Sequence, residues 1–216
     1  MSNKKVLVLG ICGATCSGKT TTAQELHKLL PNSRVFGQDE YYFDVEDPRH
    51  TWIPELNHIN FDIVSSLDMA RMLDEIKQNI EQELTLIKAP EKITIWDRIV
   101  CFSNLMHENI VKIKESGCHV VIIEGFCILN YKPLADICDL KYYFTLDYEE
   151  CFKRRLKRVY EPPDCPGYFE KCAWPEHLQH VAEVKKTVGD VTYFNENTTN
   201  HVEIILNDLA KALKQY

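Results

Sequence analysis

Short apolar runs alternate along this chain with stretches whose apolar residues recur every three or four positions, which predicts strands exchanging with amphipathic helices. The runs fall at 6–11, 34–37, 119–125, 142–146 and 191–194. After the first, Ala23, Leu26, Leu29 and Leu30 predict a helix that Pro31 ends. Val64, Leu67, Met72, Leu73, Ile76 and Ile80 predict a long amphipathic helix, with Asp62 where an N-cap would stand. A further helix is expected over 104–116, closed by Gly117. Asp147 and Glu150 have capping-box spacing and open a basic helix that stops before Pro162-Pro163. Pro175 opens a helix with Leu178, Val181, Val184 and Val188 inward, closed by Gly189. Asn200 and Glu203 form a second capping box before a terminal helix carrying Val202, Ile205, Leu206, Leu209 and Leu213. Residues 44–60, with Pro48 and Pro54, read as a loop. Between Thr85 and Ser103 no period holds: Thr94-Ile95-Trp96 reads as a strand or half a hairpin, and Pro90 forbids a continuous helix. The expected fold is α/β, a central parallel sheet of about five strands with helices on both faces.

Composition narrows the setting. At 216 residues, one compact domain over 1–216 is expected. The net charge is −7 and no basic run is long enough to follow a phosphate backbone, so nucleic acid is not an expected partner. No apolar stretch approaches the ~20 residues that span a bilayer, and residues 1–5 lead into a strand without a cleavage pattern. A cytoplasmic monomer without membrane contact is the expectation. Nine cysteines, with no CxxC pair, read as reduced thiols.

The first strand and helix enclose Gly13-Ala14-Thr15-Cys16-Ser17-Gly18-Lys19-Thr20, which fits the phosphate-loop pattern GxxxxGK[ST], followed by Thr21. Inward amides and a helix N-terminus make a nest for polyphosphate. Lys19, read as a surface-facing loop residue, would reach the β- and γ-phosphates, and the Thr20 hydroxyl would ligate a bridging Mg²⁺. Cys16 reads either as small-residue filling or as a modifiable thiol. Asp39 and Glu40, with Tyr41 and Tyr42, follow the second strand at the sheet edge where ligands bind, so Asp39 is a candidate base or metal partner; both acids also suit a helix start. Asp62 is a cap or a ligand-facing carboxylate. Glu124 ends the run at 119–125 as a candidate Mg²⁺ partner, or else faces solvent. Lys153, Arg154, Arg155, Lys157 and Arg158 are either a solvated face or, beside the Pro/Gly-rich stretch at 160–168, the clamp of a mobile lid over about 151–172.

Several separated segments carry a resemblance: the loop at 13–20, Gln38-Asp39 with the acid and aromatics after it, Phe61-Asp62, 122–126, 130–134, and above all Arg158-Val159-Tyr160-Glu161-Pro162-Pro163-Asp164 with Pro166-Gly167-Tyr168-Phe169. From about 6 to 194 the chain resembles the nicotinamide riboside kinases, in the P-loop kinase group that also holds uridine kinases. Phe61 stands where relatives can have tyrosine, and 85–116 looks longer than in compact members.

The resemblance implies Asp39 as the base for the ribose 5′-hydroxyl, near Mg²⁺, with Thr20 its direct protein ligand. Asp62 and Arg155 would hold the ribose hydroxyls. Phe61 and Tyr160 would pack on the pyridine ring, with Tyr42, Glu161 and Asp164 nearby. Arg154 and Arg158 would serve ATP, and Thr198, Thr199 and Asn200 would lie on the adenine side. The implied activity is ATP-dependent phosphorylation of nicotinamide riboside, with uridine or cytidine as the alternative acceptor. A non-catalytic nucleotide switch is the alternative of another class, though it would need no base opposite the γ-phosphate.

Overall fold

The structure is a computed structural model and describes residues 6–86 and 104–213; the expected strand at 94–96 lies outside them. Strand β1 (Val6–Gly13) is buried at every position after the first, and β5 (His119–Gly125) at every position. Such runs suit strands covered on both faces. With β2 (Ser33–Gly37), β6 (Leu140–Phe144) and β7 (Val191–Phe194) they form a five-stranded sheet in the order β2-β5-β1-β6-β7, every pair parallel. The chain leaves β1 for β2 on one side, returns to β5, then crosses to β6 on the other. The carboxyl ends of β1 and β5 therefore flank a topological switch point, where open α/β sheets hold their ligands.

Helices α1 (Lys19–Leu29), α3 (Asn104–Glu115) and α7 (His201–Ala212) bury Leu26, Ile110 and Leu206 against one face. On the other face lie α2 (Met69–Thr85), the short α4 (Lys132–Ile137) and α6 (Trp174–Thr187), through Met72, Leu134 and Val184. A smaller apolar cluster of Leu146, Cys151, Tyr168, Phe169 and Cys172 supports the segment after α5 (Tyr148–Arg155). No helix among the described residues is long and apolar enough to cross a membrane.

Local expectations meet four corrections. Helix α2 begins at Met69, not after Asp62, and its cap is Asp68, which accepts from the Arg71 amide at 3.0 Å. The Asp68 amide donates to Tyr41 O, and Leu67 bridges to Tyr42, so long-range pairing holds the preceding segment out of the helix. The 44–60 loop contains a small hairpin, β3 (Trp52–Ile53) with β4 (His58–Ile59). In α6, Leu178 is exposed while His177 and His180 face inward, against Tyr143 and Phe126. Aromatic contacts placed two histidines on a face where periodicity sought only apolar residues. Asn200 makes no side-chain cap bond, whereas Asp147 accepts from the Glu150 amide at 2.7 Å.

His177 is pushed down from 6.5 to about 4, first by burial and then by the charges of Lys19 and His180. A depressed histidine is neutral when folded and protonates more readily when unfolded, so its contribution is full above pH 6.5 and is lost as pH falls toward 4. The loss amounts to at most about 3 kcal/mol. His177→Phe keeps a ring beside Tyr143 and Trp174 and removes the titration. Denaturant unfolding between pH 7 and 4 is expected to show a shallower fall in stability for this variant than for the unmutated protein.

Candidate active site

The loop after β1 is built onto β6. Gly13 has φ +135°, and a Cβ there would overlap the backbone of Phe144, whose carbonyl accepts from the Ala14 amide at 2.9 Å. Only glycine meets both demands. Gly18, at φ +97°, then turns the chain into α1. Cys16, Ser17, Gly18, Lys19, Thr20 and Thr21 line a recess of about 230 Å³, closed opposite by Arg154 and Arg158. Arg154 is held by Glu150 at 2.6 Å and donates to Cys16 O at 3.3 Å. A helix N-terminus and two guanidinium groups give this recess a positive lining.

Lys19 is not surface-facing. It is buried in the first turn of α1, and its ammonium donates to Ala14 O at 2.7 Å. Thr20 Oγ1 donates to Glu124 Oε1 at 3.0 Å, joining the loop to the tip of β5. Burial raises the Glu124 carboxyl above its usual range, Lys19 opposes this, and Asp39 adds to it.

A second chamber of about 320 Å³ opens from the same loop. Thr15, Lys19, Thr20, Asp39 and Glu124 line one end. Toward the other, Tyr42 stacks on Phe126 at 6.3 Å between centroids and meets Phe61 edge-on at 5.8 Å. Asp62 and Arg155 also line the chamber, with Arg155 Nη2 at 3.8 Å from Asp62 Oδ2. Arg155 also grips Asp164 through both carboxylate oxygens, at 2.6 and 3.0 Å, and lies over the Tyr160 ring at 4.5 Å. Burial works against the charge on Arg155, but Asp164 and Asp62 outweigh it, so its pKa stands above the ordinary value. Burial raises the Asp62 carboxyl, and Arg155 pulls it back. The chamber wall thus combines residues of the GxxxxGK[ST] loop, carboxylates with a guanidinium, and aromatic faces.

A family profile described as an AAA domain matches residues 9–174. Nicotinamide riboside kinase 1 of Rattus norvegicus is 33% identical over 211 residues, covering 98% of this chain and 95% of that protein. The chain belongs to the nicotinamide riboside kinase family. It is accordingly a phosphotransferase. A uridine kinase of Shewanella denitrificans is 28% identical over 88% of each chain. The solved thymidylate kinase of Candida albicans shares the fold, with a TM-score of 0.50 at 16% identity, covering 98% of this chain and 92% of that one.

Within this family member, the structure brings Asp39, Tyr42, Phe61, Asp62, Arg155, Tyr160, Glu161 and Asp164 to one chamber. Two residues read as substrate contacts are elsewhere. Tyr41 is buried against α2, where its hydroxyl donates to Glu75 Oε2 at 2.7 Å, and Glu40 is exposed and lines neither cavity. The tight turn Gln38–Tyr41 sends successive side chains to different sides. Thr198, Thr199 and Asn200 line neither cavity; Thr198 bonds within its own turn, to Asn195. Sequence reasoning assigned no role to Phe43, Phe126 or Tyr168 in the chamber wall. Phe126 and Tyr168 lie inside the segments that carry the resemblance, and Phe43 directly follows Tyr42, but nothing in their spacing marks them as pocket residues.

Proposed function

We propose that this kinase transfers the γ-phosphoryl group of ATP to the ribose 5′-hydroxyl of nicotinamide riboside, giving the mononucleotide in NAD salvage. The observation that carries the reading is that one chamber joins the phosphate loop to the aromatic faces of Tyr42, Phe61 and Tyr160, with the acid Glu161 in its wall. The pyridinium ring of this nucleoside carries a fixed positive charge, which such a lining favours. Arg154 and Arg158 gather the triphosphate in the recess, and Lys19 leaves Ala14 O to neutralise the transferring group. Asp39 accepts the hydroxyl proton. Asp62 and Arg155 hold the sugar hydroxyls, so the 5′-oxygen is aligned for in-line attack. The segment 151–172 acts as a lid: the Tyr160 hydroxyl already lies 3.3 Å from Thr15 Oγ1, bringing Arg155 and Arg158 over the loop.

The oxygen donors Thr20, Glu124 and Asp39 share that chamber, and hard oxygen ligands with room for water suit Mg²⁺. Thr20 would ligate the ion directly, with Glu124 and Asp39 holding its waters. Held there, Mg²⁺ would supply charge neutralisation for the transferring phosphoryl group.

Parallel kinetics on two nucleosides test the acceptor. Nicotinamide riboside is expected to exceed uridine in kcat/KM by at least about tenfold, or ~1.4 kcal/mol. Tyr160→Leu narrows the gap, because it keeps apolar area and removes the ring quadrupole. Equal or reversed preference in the unmutated protein assigns the chamber to a pyrimidine nucleoside instead.

A further inference from the structure

The stretch Asn60-Phe61-Asp62 is irregular backbone, belonging to neither β4 nor α2. Backbone of that kind keeps a ligand-binding pose only when its polar groups are tied elsewhere. Tyr42, Ser66 and Thr51 tie the Phe61 carbonyl and the Asn60 backbone from nearby, and further ties come from one segment more than a hundred residues along the chain. The Phe61 amide donates to the Tyr168 hydroxyl at 2.9 Å, and the His180 imidazole N–H donates to Asp62 O at 2.8 Å. The Asn60 side chain donates to Glu176 at 2.9 Å and accepts from Cys172 Sγ at 3.2 Å.

Among these partners Tyr168 is distinct. It is 1% exposed, held in the apolar cluster of Leu146, Phe169 and Cys172, yet it forms part of the chamber wall. Its oxygen is the acceptor for Phe61 N, and Asp62, the next residue, shares the chamber wall with it. One phenol thus holds the backbone of Phe61 directly and stands beside Asp62, the two residues that the proposed function assigns to the nucleoside. The Arg155 guanidinium lies over the same ring at 5.6 Å.

We infer that Tyr168 is a positioning residue of the nucleoside pocket: its hydroxyl fixes the Phe61 backbone and, through it, the placement of the adjoining Asp62 carboxylate. The inference rests on the reading of Phe61 and Asp62 as nucleoside contacts. It makes the buried C-terminal part of the 151–172 segment a part of acceptor recognition, although Tyr168 itself touches no reacting atom. Tyr168 acts through ground-state orientation, so its loss bears on nucleoside binding and leaves the ATP site alone.

Asp62 supplies an independent readout. It faces Arg155 from α5, Asp164 from the following loop, His180 from α6 and the hydroxyls of Tyr168 and Tyr42, with the thiols of Cys127 and Cys172 close by. Burial raises its carboxyl, while Arg155 and then the Tyr168 hydroxyl lower it. Removing the hydroxyl raises it further. Since the ionised form accepts from the sugar, activity is then lost at a higher pH on the acid side.

The test compares Tyr168→Phe, Asp62→Asn and the double variant. Tyr168→Phe keeps the ring in its apolar cluster, and thermal unfolding checks that it remains folded. The expected result for Tyr168→Phe is a nucleoside KM raised about fivefold or more, with the KM for ATP within about twofold. The acid limb of kcat/KM for the nucleoside moves to higher pH. The double variant is expected to lose less than the product of the two single losses. An unmoved acid limb, equal losses for nucleoside and ATP, or fully multiplicative losses would each overturn the inference. Should Asp62→Asn alone leave the nucleoside KM unchanged, the fault lies with the pocket reading. Should Asp62→Asn raise that KM while Tyr168→Phe does not, only the role of Tyr168 is refuted.

Discussion

Asp39→Asn is expected to lower kcat by a factor on the order of 10²–10⁴ while the KM for the nucleoside stays within a few-fold. The side chain sits in the turn that follows β2, at the loop end of the chamber with Lys19, Thr20 and Glu124. That turn is fixed independently of the carboxylate. Gln38 is fully buried, accepts from the Cys127 amide at 3.1 Å and donates to Cys127 Sγ at 3.2 Å. An isosteric amide therefore keeps its place and loses the negative charge, and with it the ability to take a proton. Steady-state kinetics with both substrates varied separates the outcomes: a loss confined to KM reassigns Asp39 to binding.

Lys19→Met is expected to lower kcat on the order of 10³, the upper range for losing one charge donor aimed at a reacting group, with the protein still folded. Burial changes the argument for stability. The Lys19 stem is packed in the first turn of α1 and its ammonium satisfies Ala14 O. Methionine retains the apolar stem, and the carbonyl left without its donor costs about 1–3 kcal/mol, offset by no longer burying a charge. Circular dichroism and thermal unfolding should show a native fold with a modest shift. Near-normal kcat in a folded variant would remove Lys19 from the list of phosphate ligands.

The five sheet strands and the phosphate loop were legible because their signals are local. A buried parallel strand needs an unbroken apolar run, and the nest needs glycines at set positions. Helices α1, α3 and α7 followed from periodicity for the same reason. Where the chain is held by distant partners the reading drifted. Asp62 looked like a cap, and Asp68 is the cap, because pairing with Tyr41 and Tyr42 delays the helix. The inward face of α6 was misread at Leu178, since His177 and His180 bury through ring contacts that no hydropathy pattern records.

The sequence by itself determined the α/β alternation, the phosphate loop, the acids at the strand ends and, through its separated motifs, the family. Tertiary structure alone decided which of two neighbouring residues serves the chamber. Tyr42 lines it while Tyr41 bonds to Glu75 on α2. The structure turns Arg154 to the phosphate loop at Cys16 and Arg155 to Asp164 and Asp62, a division that the resemblance implied but spacing did not contain. It also decided that Tyr168 meets Phe61. The physical reason is common to all three. In tight turns, at a helix end and in irregular backbone, side-chain direction follows from hydrogen bonds and packing made across the chain, which one-dimensional spacing does not contain.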